Sequence, residues 1–165
     1  MILEKIAVLG VDVEDWYHTE YIQPLKINKN YSMLDGLDNI IEIFNELKVN
    51  ATYFCVAELA HILKKTLRKL HKEGNEIASH GQKHIRPLIL NKKQFLDEII
   101  KSKEILEKII SKKVIGFRAP CFSLNRDYFN LLKENNYTYD SSKINFNKHP
   151  LYGNFELNDF NQINK

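Results

Sequence analysis

Residues 6–18 read Ile-Ala-Val-Leu-Gly-Val-Asp-Val-Glu-Asp-Trp-Tyr-His, an apolar run that passes directly into acidic residues. The part from Ile6 to Val11 is short and continuously apolar, which predicts a strand buried on both faces of a sheet. Strands of this kind are typical of parallel sheets covered by helices, so this stretch favours an α/β fold.

Segments of strand type alternate with segments of helix type along the rest of the chain. The further predicted strands cover 52–56, 76–79, 114–117 and 137–140, and the predicted helices cover 37–47, 58–72, 91–112 and 123–132. This alternation predicts βαβ units and a parallel sheet of about five strands. Residues 143–165 are rich in asparagine, lack an amphipathic period and read as an excursion between elements.

Local signals fix several of the predicted helix ends. Asp35 or Asp38 is available to cap the first helix, and Ser123 is placed to cap the fourth. Gly74 follows the second helix, where a left-handed residue is wanted. Asn91 has a glutamine three residues later, which is the arrangement of a capping box.

Length and composition bound the class of protein. The chain has 165 residues, of which 44% are hydrophobic and 27% charged, so it has the material for one folded domain. A net charge of +3, from 24 basic and 21 acidic residues, is poor evidence for a nucleic-acid partner. No apolar run approaches the roughly 20 residues that cross a membrane. Since no signal peptide is recognised and Cys55 and Cys121 are too few for a disulfide scaffold, we expect a cytoplasmic protein.

In a parallel α/β fold, the chemistry belongs at the carboxyl ends of the strands. Three groups of polar residues fall there: the acidic Asp12, Glu14 and Asp15, the pair His80 and His84, and the loop Arg118-Ala119-Pro120-Cys121. Each group has a plain structural interpretation, respectively an acidic helix cap, two unrelated surface histidines and a stiff loop. Cys121 invites a nucleophile hypothesis, but we expect a wall residue because no adjacent base is evident. His61 and His71 lie in the lysine-rich helix and are expected to be solvated.

The three groups of polar residues are more informative about function together than separately. Two histidines and one carboxylate leave an open position on a metal ion, which is the arrangement of catalytic zinc. The combination therefore favours metal-assisted hydrolysis.

These motifs, in this order, resemble the polysaccharide deacetylases of carbohydrate esterase family 4, the NodB-homology domain. The resemblance covers about Ile6 to Ser142. Its first motif reads Asp12-Val13-Glu14-Asp15-Trp16-Tyr17-His18, similar to the DVEDWYH branch linked to bacterial surface polysaccharides. The second, His-(Ser/Thr)-x-x-His, has glycine at its second position here and reads His80-Gly81-Gln82-Lys83-His84. The third reads Arg118-Ala119-Pro120, and Tyr139-Asp140-Ser141-Ser142 takes the place of the fourth.

The resemblance implies a role for each matching residue. Asp12 would be the general base, and Arg118 would hold and tune it. His80 and His84 would bind a divalent metal ion, with zinc the expected metal. The third ligand would be Glu14, with Asp15 as the alternative, because the position next to the base is Val13. The backbone amide of Cys121, beside Pro120, would help to form the oxyanion site, and Asp140 would lie nearby.

The resemblance also implies a substrate and a fold. The expected activity is removal of N-acetyl groups from amino sugars, and we expect four aromatic residues to stack on sugar faces: Trp16, Tyr17, Phe122 and Tyr139. The family's late general-acid histidine has no clear counterpart, because the context of His149 does not match its motif. Two alternatives stay open, an allantoinase-like amidase of the same fold and a non-catalytic carbohydrate-binding or assembly module. The oligomeric state is open.

The family fold is a distorted (β/α)7-type barrel. A complete (β/α)8 barrel takes about 250 residues, so we expect residues 1–165 to be a single domain truncated at its C-terminal end. On its own it should be marginally stable, or else completed by another chain, and weakly active or inactive.

Overall fold

A computed structural model describes residues 7–144 and 149–153 of the chain. Five strands form one parallel sheet, and their order in the sheet is their order in the chain. The strands are β1 (Gly10–Val13), β2 (Thr52–Cys55), β3 (Glu76–Ser79), β4 (Gly116–Phe117) and β5 (Tyr139–Asp140). The helices between them are α1 (Gly36–Glu46), α2 (Lys64–Lys72), α3 (Lys92–Ile110) and α4 (Phe129–Glu134). The predicted α/β class with five parallel strands is therefore confirmed.

The core lies between the sheet and the helices that cover it. Tyr53 of β2 and Phe117 of β4 are almost fully buried, as are Phe95 and Ile99 of α3. The ring of Phe95 stacks on that of Tyr128, with centroids 4.4 Å apart, and meets Phe117 edge-on. Since α3 spans 19 residues and presents its apolar stripe to this layer, it is the main cover of the sheet.

The first strand differs from its prediction. β1 begins at Gly10, whereas Val8 is 85% exposed and Leu9 is 37% exposed. The expectation that the run to Val11 is buried on both faces is therefore wrong for its described part, and Ile6 lies outside the described residues. The reason is position: within the described residues β1 pairs only with β2, so it is an edge strand.

Two helices begin later than their sequence pattern indicates. After β2 the chain forms a single 3-10 turn, Ala57–Leu59, and α2 begins only at Lys64. The N–H groups of Ala57 and Glu58 donate to the carbonyls of Gly81 and Gln82, so this turn is tied to the loop after β3. Ser123 does not cap α4, because its hydroxyl accepts the N–H of Leu88 and two 3-10 turns precede the helix.

The predictions that depend only on neighbouring residues agree with the structure. Asp35 accepts a hydrogen bond from Gly36 N at the start of α1. Gly74 follows α2 with a φ of +91°, a conformation that glycine adopts readily. Asn91 and Gln94 form a complete capping box at the start of α3. Among the described residues, no helix is long and apolar enough to cross a membrane.

Candidate active site

Three potential metal ligands converge at the carboxyl end of the sheet. Glu14 follows β1, and His80 and His84 belong to the loop that leaves β3. One ligand atom from each of the three lies within 4.8 Å of the others. Glu14 Oε2 and His84 Nε2 are 2.8 Å apart.

The ring of His80 is oriented by the backbone of the next strand. Its Nδ1 lies 2.7 Å from the carbonyl oxygen of Arg118, to which it donates, so Nε2 carries the lone pair. Burial lowers the pKa of His80 to about 4. The imidazole is therefore neutral at physiological pH, which is the form that binds a metal ion.

His84 is held by an unusual backbone and by a glutamine. Its φ is +57°, in the left-handed region that residues other than glycine seldom adopt. The side-chain amide of Gln23 donates to the carbonyl oxygens of both His84 and His18, at 2.9 and 2.7 Å. The same nitrogen lies 3.4 Å from His84 Nδ1. Cys121 and Phe122, across the site, also have positive φ values of 55° and 49°, so backbone strain is concentrated here.

The carboxylate of Glu14 completes the donor set. Burial alone would raise the pKa of Glu14, but the hydrogen bond with His84 and the neighbouring histidine charges outweigh it, so this pKa lies below its ordinary value. Glu14 is then ionised over the neutral range. The donor set is therefore two imidazole nitrogens and one carboxylate oxygen, and one of the histidine rings is fixed through its second nitrogen. Such a set suits a zinc-like ion and leaves a position for water.

Asp15, the alternative third ligand, is used elsewhere. It is buried, and its Oδ1 accepts the N–H of Trp16 and that of Met33. It therefore caps the turn Trp16–His18 and fastens the following loop. The structure brings Glu14, and not Asp15, to the two histidines.

Asp12 and Arg118 form an ion pair beside the histidines. Arg118 Nη1 donates to Asp12 Oδ1 at 2.7 Å, and the two side chains are only 15% and 25% exposed. The rest of the guanidinium donates to the carbonyl and hydroxyl oxygens of Ser141, and its centre lies 4.0 Å from the ring centre of Phe54. Fixed on four sides, Arg118 holds one oxygen of Asp12 in place.

Asp140 is linked through Ser142 to the loop that carries Arg118. Its two oxygens accept the hydroxyl and the N–H of Ser142, and the Ser142 hydroxyl oxygen accepts the N–H of Ala119, next to Arg118. Burial raises the pKa of Asp140 to about 6. Asp140 ties the end of β5 to the loop after β4, and it does not line the cavity described next.

A cavity of about 310 Å³ opens over these groups. Twelve residues line it: Asp12, Glu14, Thr19, Glu20, Tyr21, His80, His84, Cys121, Phe122, His149, Leu151 and Tyr152. The candidate metal ligands, the carboxylate of Asp12 and the aromatic rings of three residues thus share one space. This is the arrangement expected of a pocket that holds a substrate against a reactive centre.

Several residues expected to contact substrate do not line this cavity. Trp16 Nε1 donates to the carbonyl of Tyr31, and the Tyr17 ring lies beneath the ammonium group of Lys29. The hydroxyl of Tyr139 donates to Glu76 at the opposite end of the sheet. Of the four expected aromatic residues only Phe122 is on the wall, and Tyr21 and Tyr152 join it there.

The loop after β4 forms the remaining wall. Cys121 and Phe122 line the cavity, whereas Pro120 does not; it is buried behind them and packs close to Gly81, whose φ is +79°. Burial raises the pKa of the Cys121 thiol to about 11, so the thiol stays protonated and is unsuited to act as a nucleophile. Cys121 is thus a wall residue on chemical grounds as well as by position.

Three supporting residues were not found from the sequence. Glu98 of α3 is buried, and its Oε2 accepts the N–H groups of Gln82 and Lys83 inside the histidine loop, at 2.9 and 3.0 Å. Glu58 lies 2.7 Å from the buried His18 ring, and Gln23 was described above. One feature of the sequence could have pointed to Glu98, because it interrupts the apolar stripe of α3 between Phe95 and Ile99.

Comparisons with known proteins identify the family of this chain. A family model described as polysaccharide deacetylase matches residues 30–139. A peptidoglycan deacetylase of Helicobacter pylori is 24% identical over 117 residues, which are 71% of this chain and 40% of that protein. The peptidoglycan-N-acetylmuramic acid deacetylase PdaC of Bacillus subtilis is 27% identical over 96 residues, covering 58% of this chain and 21% of that protein. The chain thus spans two fifths or less of the curated relatives it matches.

Solved structures share the fold. The structure of PdaC from Bacillus subtilis aligns with a TM-score of 0.62 and 22% identity, over 81% of this chain and 56% of that one. A carbohydrate esterase family 4 pseudoenzyme from Bacillus anthracis aligns with a TM-score of 0.65 and 17% identity, over 81% of this chain and 41% of that one. Since the family model covers two thirds of the sequence, this chain belongs to the polysaccharide deacetylase family.

Proposed function

We propose that this chain carries the metal and base half of a hydrolase that removes N-acetyl groups from amino sugars of a bacterial surface polysaccharide or its precursor. One observation carries the proposal: Glu14, His80 and His84 converge in the same cavity as the Asp12–Arg118 pair. The names of the two bacterial relatives, both peptidoglycan deacetylases, support an N-acetylated carbohydrate as substrate.

The proposed ligands are Glu14, His80 and His84, and the proposed metal is zinc, because the donor set is two nitrogens and one oxygen. When bound, the ion would lower the pKa of a water molecule and polarise the acetamide carbonyl. Arg118 binds one oxygen of Asp12, and the carboxylate is placed to accept a proton from the attacking water. The backbone N–H of Cys121 is proposed to donate to the oxygen that becomes negatively charged, a contribution of about 3 kcal/mol in other enzymes.

Acetate release and metal content test the proposal together. The chain, loaded with Zn²⁺, is incubated with N-acetylglucosamine oligomers, and acetate and bound zinc are measured. We expect one zinc per chain and weak, metal-dependent acetate release, both lost in His80→Ala. His61→Ala is the matched control, since His61 is exposed and outside the cavity.

Each other result has a definite meaning. A chain that binds no zinc overturns the hydrolase proposal. A chain that binds zinc and releases no acetate, but hydrolyses small cyclic amides, favours the amidase alternative. A chain that binds zinc and hydrolyses neither favours a non-catalytic module; one of the fold neighbours is itself described as a pseudoenzyme.

A further inference from the structure

We propose that a groove between α2 and α3 binds the diphosphate group of a ligand, at a site separate from the candidate active site. The groove has a volume of about 710 Å³, and among the described residues none lines both it and the active-site cavity. Lys64 and Arg68 of α2 line one side, and Lys108 of α3 lines the other. Three cations thus meet around one opening, and the inference does not depend on the proposed function.

The three cations of the groove have no acidic partner in the part of the chain that the structure describes. None of them forms an ion pair there, whereas Lys69, Lys103 and Lys113 are all paired with glutamates. The acidic side chain that lines the groove, Glu58, is engaged elsewhere, with its Oε1 2.7 Å from Nε2 of His18. The positive charge of the groove is therefore not balanced by these residues.

The arrangement of these cations is electrostatically unfavourable without an anion. Lys64 and Arg68 are four residues apart on one helix, so their side chains are neighbours, and like charges at this spacing destabilise a helix. Lys64 is also the first residue of α2, near the positive end of the helix dipole, where a cation is disfavoured. Lys108 adds a third positive charge from the facing helix. An anion bound between the three would offset these repulsions.

Arg68 is already oriented for such a contact. Its Nε donates to the carbonyl of Ile109 at 2.8 Å, which satisfies one of the carbonyl groups in the last turn of α3. Its Nη groups make no hydrogen bond to the described residues and remain available as donors. A guanidinium group held in this way can bind two oxygens of a phosphate group at once.

The charge and the lining of the groove indicate the class of ligand. Three cations match two adjacent phosphate groups better than they match a single carboxylate. Ala57, Ile105 and Ile109 contribute apolar surface to the same groove, which suits a ligand that also carries an apolar portion. A diphosphate attached to a nucleoside or to a lipid has both features.

Inorganic pyrophosphate is the probe for this site. The full chain is titrated calorimetrically at about 0.15 M salt, where distant charges are screened, and without zinc, which itself binds pyrophosphate. We expect saturable binding of one pyrophosphate per chain. The affinity should fall about tenfold or more in Lys64→Glu and in Lys108→Glu, since a hydrogen bond to a charged group contributes about that factor.

Lys65→Glu is the matched control. It makes the same change of charge on the same helix, but Lys65 lines a different cavity, between α1 and α2. This variant should bind pyrophosphate as the parent chain does. No saturable binding by the parent, or an equal loss of affinity in Lys65→Glu, overturns the inference.

Two competitors distinguish the possible sources of the diphosphate. Displacement of pyrophosphate by ADP or UDP indicates a nucleotide, and displacement by phosphatidylcholine vesicles carrying farnesyl diphosphate indicates a lipid. Displacement by neither overturns the assignment of the ligand class. His80→Ala should bind pyrophosphate as the parent does, because the groove is separate from the proposed metal ligands. Pyrophosphate binding by a chain that binds no zinc would therefore overturn the proposed function alone.

Discussion

A Cβ atom added at Gly10 would lie 2.8 Å from Nη2 of Arg118 and 3.2 Å from its Nη1. Gly10 is extended and in β1, so its backbone does not require glycine. Glycine is required because the guanidinium group of Arg118 lies against this residue and reaches from there to Asp12. The absence of one methyl group in β1 thus makes room for the ion pair that positions the proposed base.

Gly10→Ala should therefore impair catalysis without affecting the metal. The methyl group displaces the end of a flexible side chain, so the protein folds but Arg118 leaves its contact with Asp12. We expect acetate release to fall about 10–100-fold, the cost of a displacement of about 1 Å at a reacting group. Bound zinc should be unchanged. Gly36→Ala is the matched control, because nothing lies within 4 Å of its added Cβ; equal activities in the two variants would refute the steric argument.

Glu14 and Asp15 can be distinguished by conservative amide substitutions. Glu14→Gln removes the proposed ligand charge, and we expect zinc affinity to fall by more than about 100-fold, beyond the usual effect of outer residues. Asp15→Asn keeps the side-chain oxygen that accepts the N–H groups of Trp16 and Met33, so zinc affinity should be retained. Competition with a fluorescent zinc chelator measures both. Loss of zinc in Asp15→Asn alone would reverse the assignment.

Glu98 should matter to the metal although it is not a proposed ligand. Glu98→Ala leaves the N–H groups of Gln82 and Lys83 without their acceptor and loosens the loop between the two histidines. We expect zinc affinity to fall about 10–100-fold and the free energy of unfolding to fall by about 2 kcal/mol. Glu104→Ala, on an exposed position of the same helix, should change neither. Calorimetric zinc titration and urea denaturation provide the two readouts.

The raised pKa of Asp140 predicts that the free energy of unfolding depends on pH. Burial raises its pKa from 3.8 to about 6, so between these pH values the folded chain holds a proton at Asp140 that the unfolded chain has lost. The contribution of Asp140 to the free energy of unfolding therefore decreases as pH rises through this window, by at most about 3 kcal/mol. Asp140→Asn cannot titrate and should lack this component in urea denaturation series from pH 4 to 7. An unchanged pH profile in the variant would show that burial of the charge is not its cause.

Much of the fold is readable from the sequence because its signals are local. The capping box at Asn91 and the left-handed Gly74 depend only on neighbouring residues, and both are found where expected. Ser123 misleads because its hydroxyl bonds to Leu88, a residue distant in the chain. The start of α2 is delayed for the same kind of reason, since Ala57 and Glu58 bond to the histidine loop. Contacts made across the fold outweigh the local preference in both cases.

Some residues of the site can likewise be placed from the sequence, whereas others depend on contacts that the sequence does not reveal. Strand alternation places Glu14 on the same side as Asp12, and the carboxyl ends of parallel strands meet at one edge, so the approach of Glu14, His80 and His84 follows from topology. The direction in which Trp16 and Tyr17 turn depends on a 3-10 turn and on partners far along the chain, Tyr31 and Lys29. No spacing rule encodes those partners, and composition alone could not assign the aromatic wall.

The order of the strands has a consequence for how the protein is made. Each strand lies beside its predecessor in the chain, and the three proposed metal ligands are all found within the first 84 residues. Since a ribosome releases the N-terminal part of a chain first, the proposed ligands that follow β1 and β3 are synthesised before Arg118. Zinc capture by the nascent chain can thus precede the arrival of Arg118, which positions the proposed base Asp12. Translation itself would then separate loading of the metal from the onset of activity.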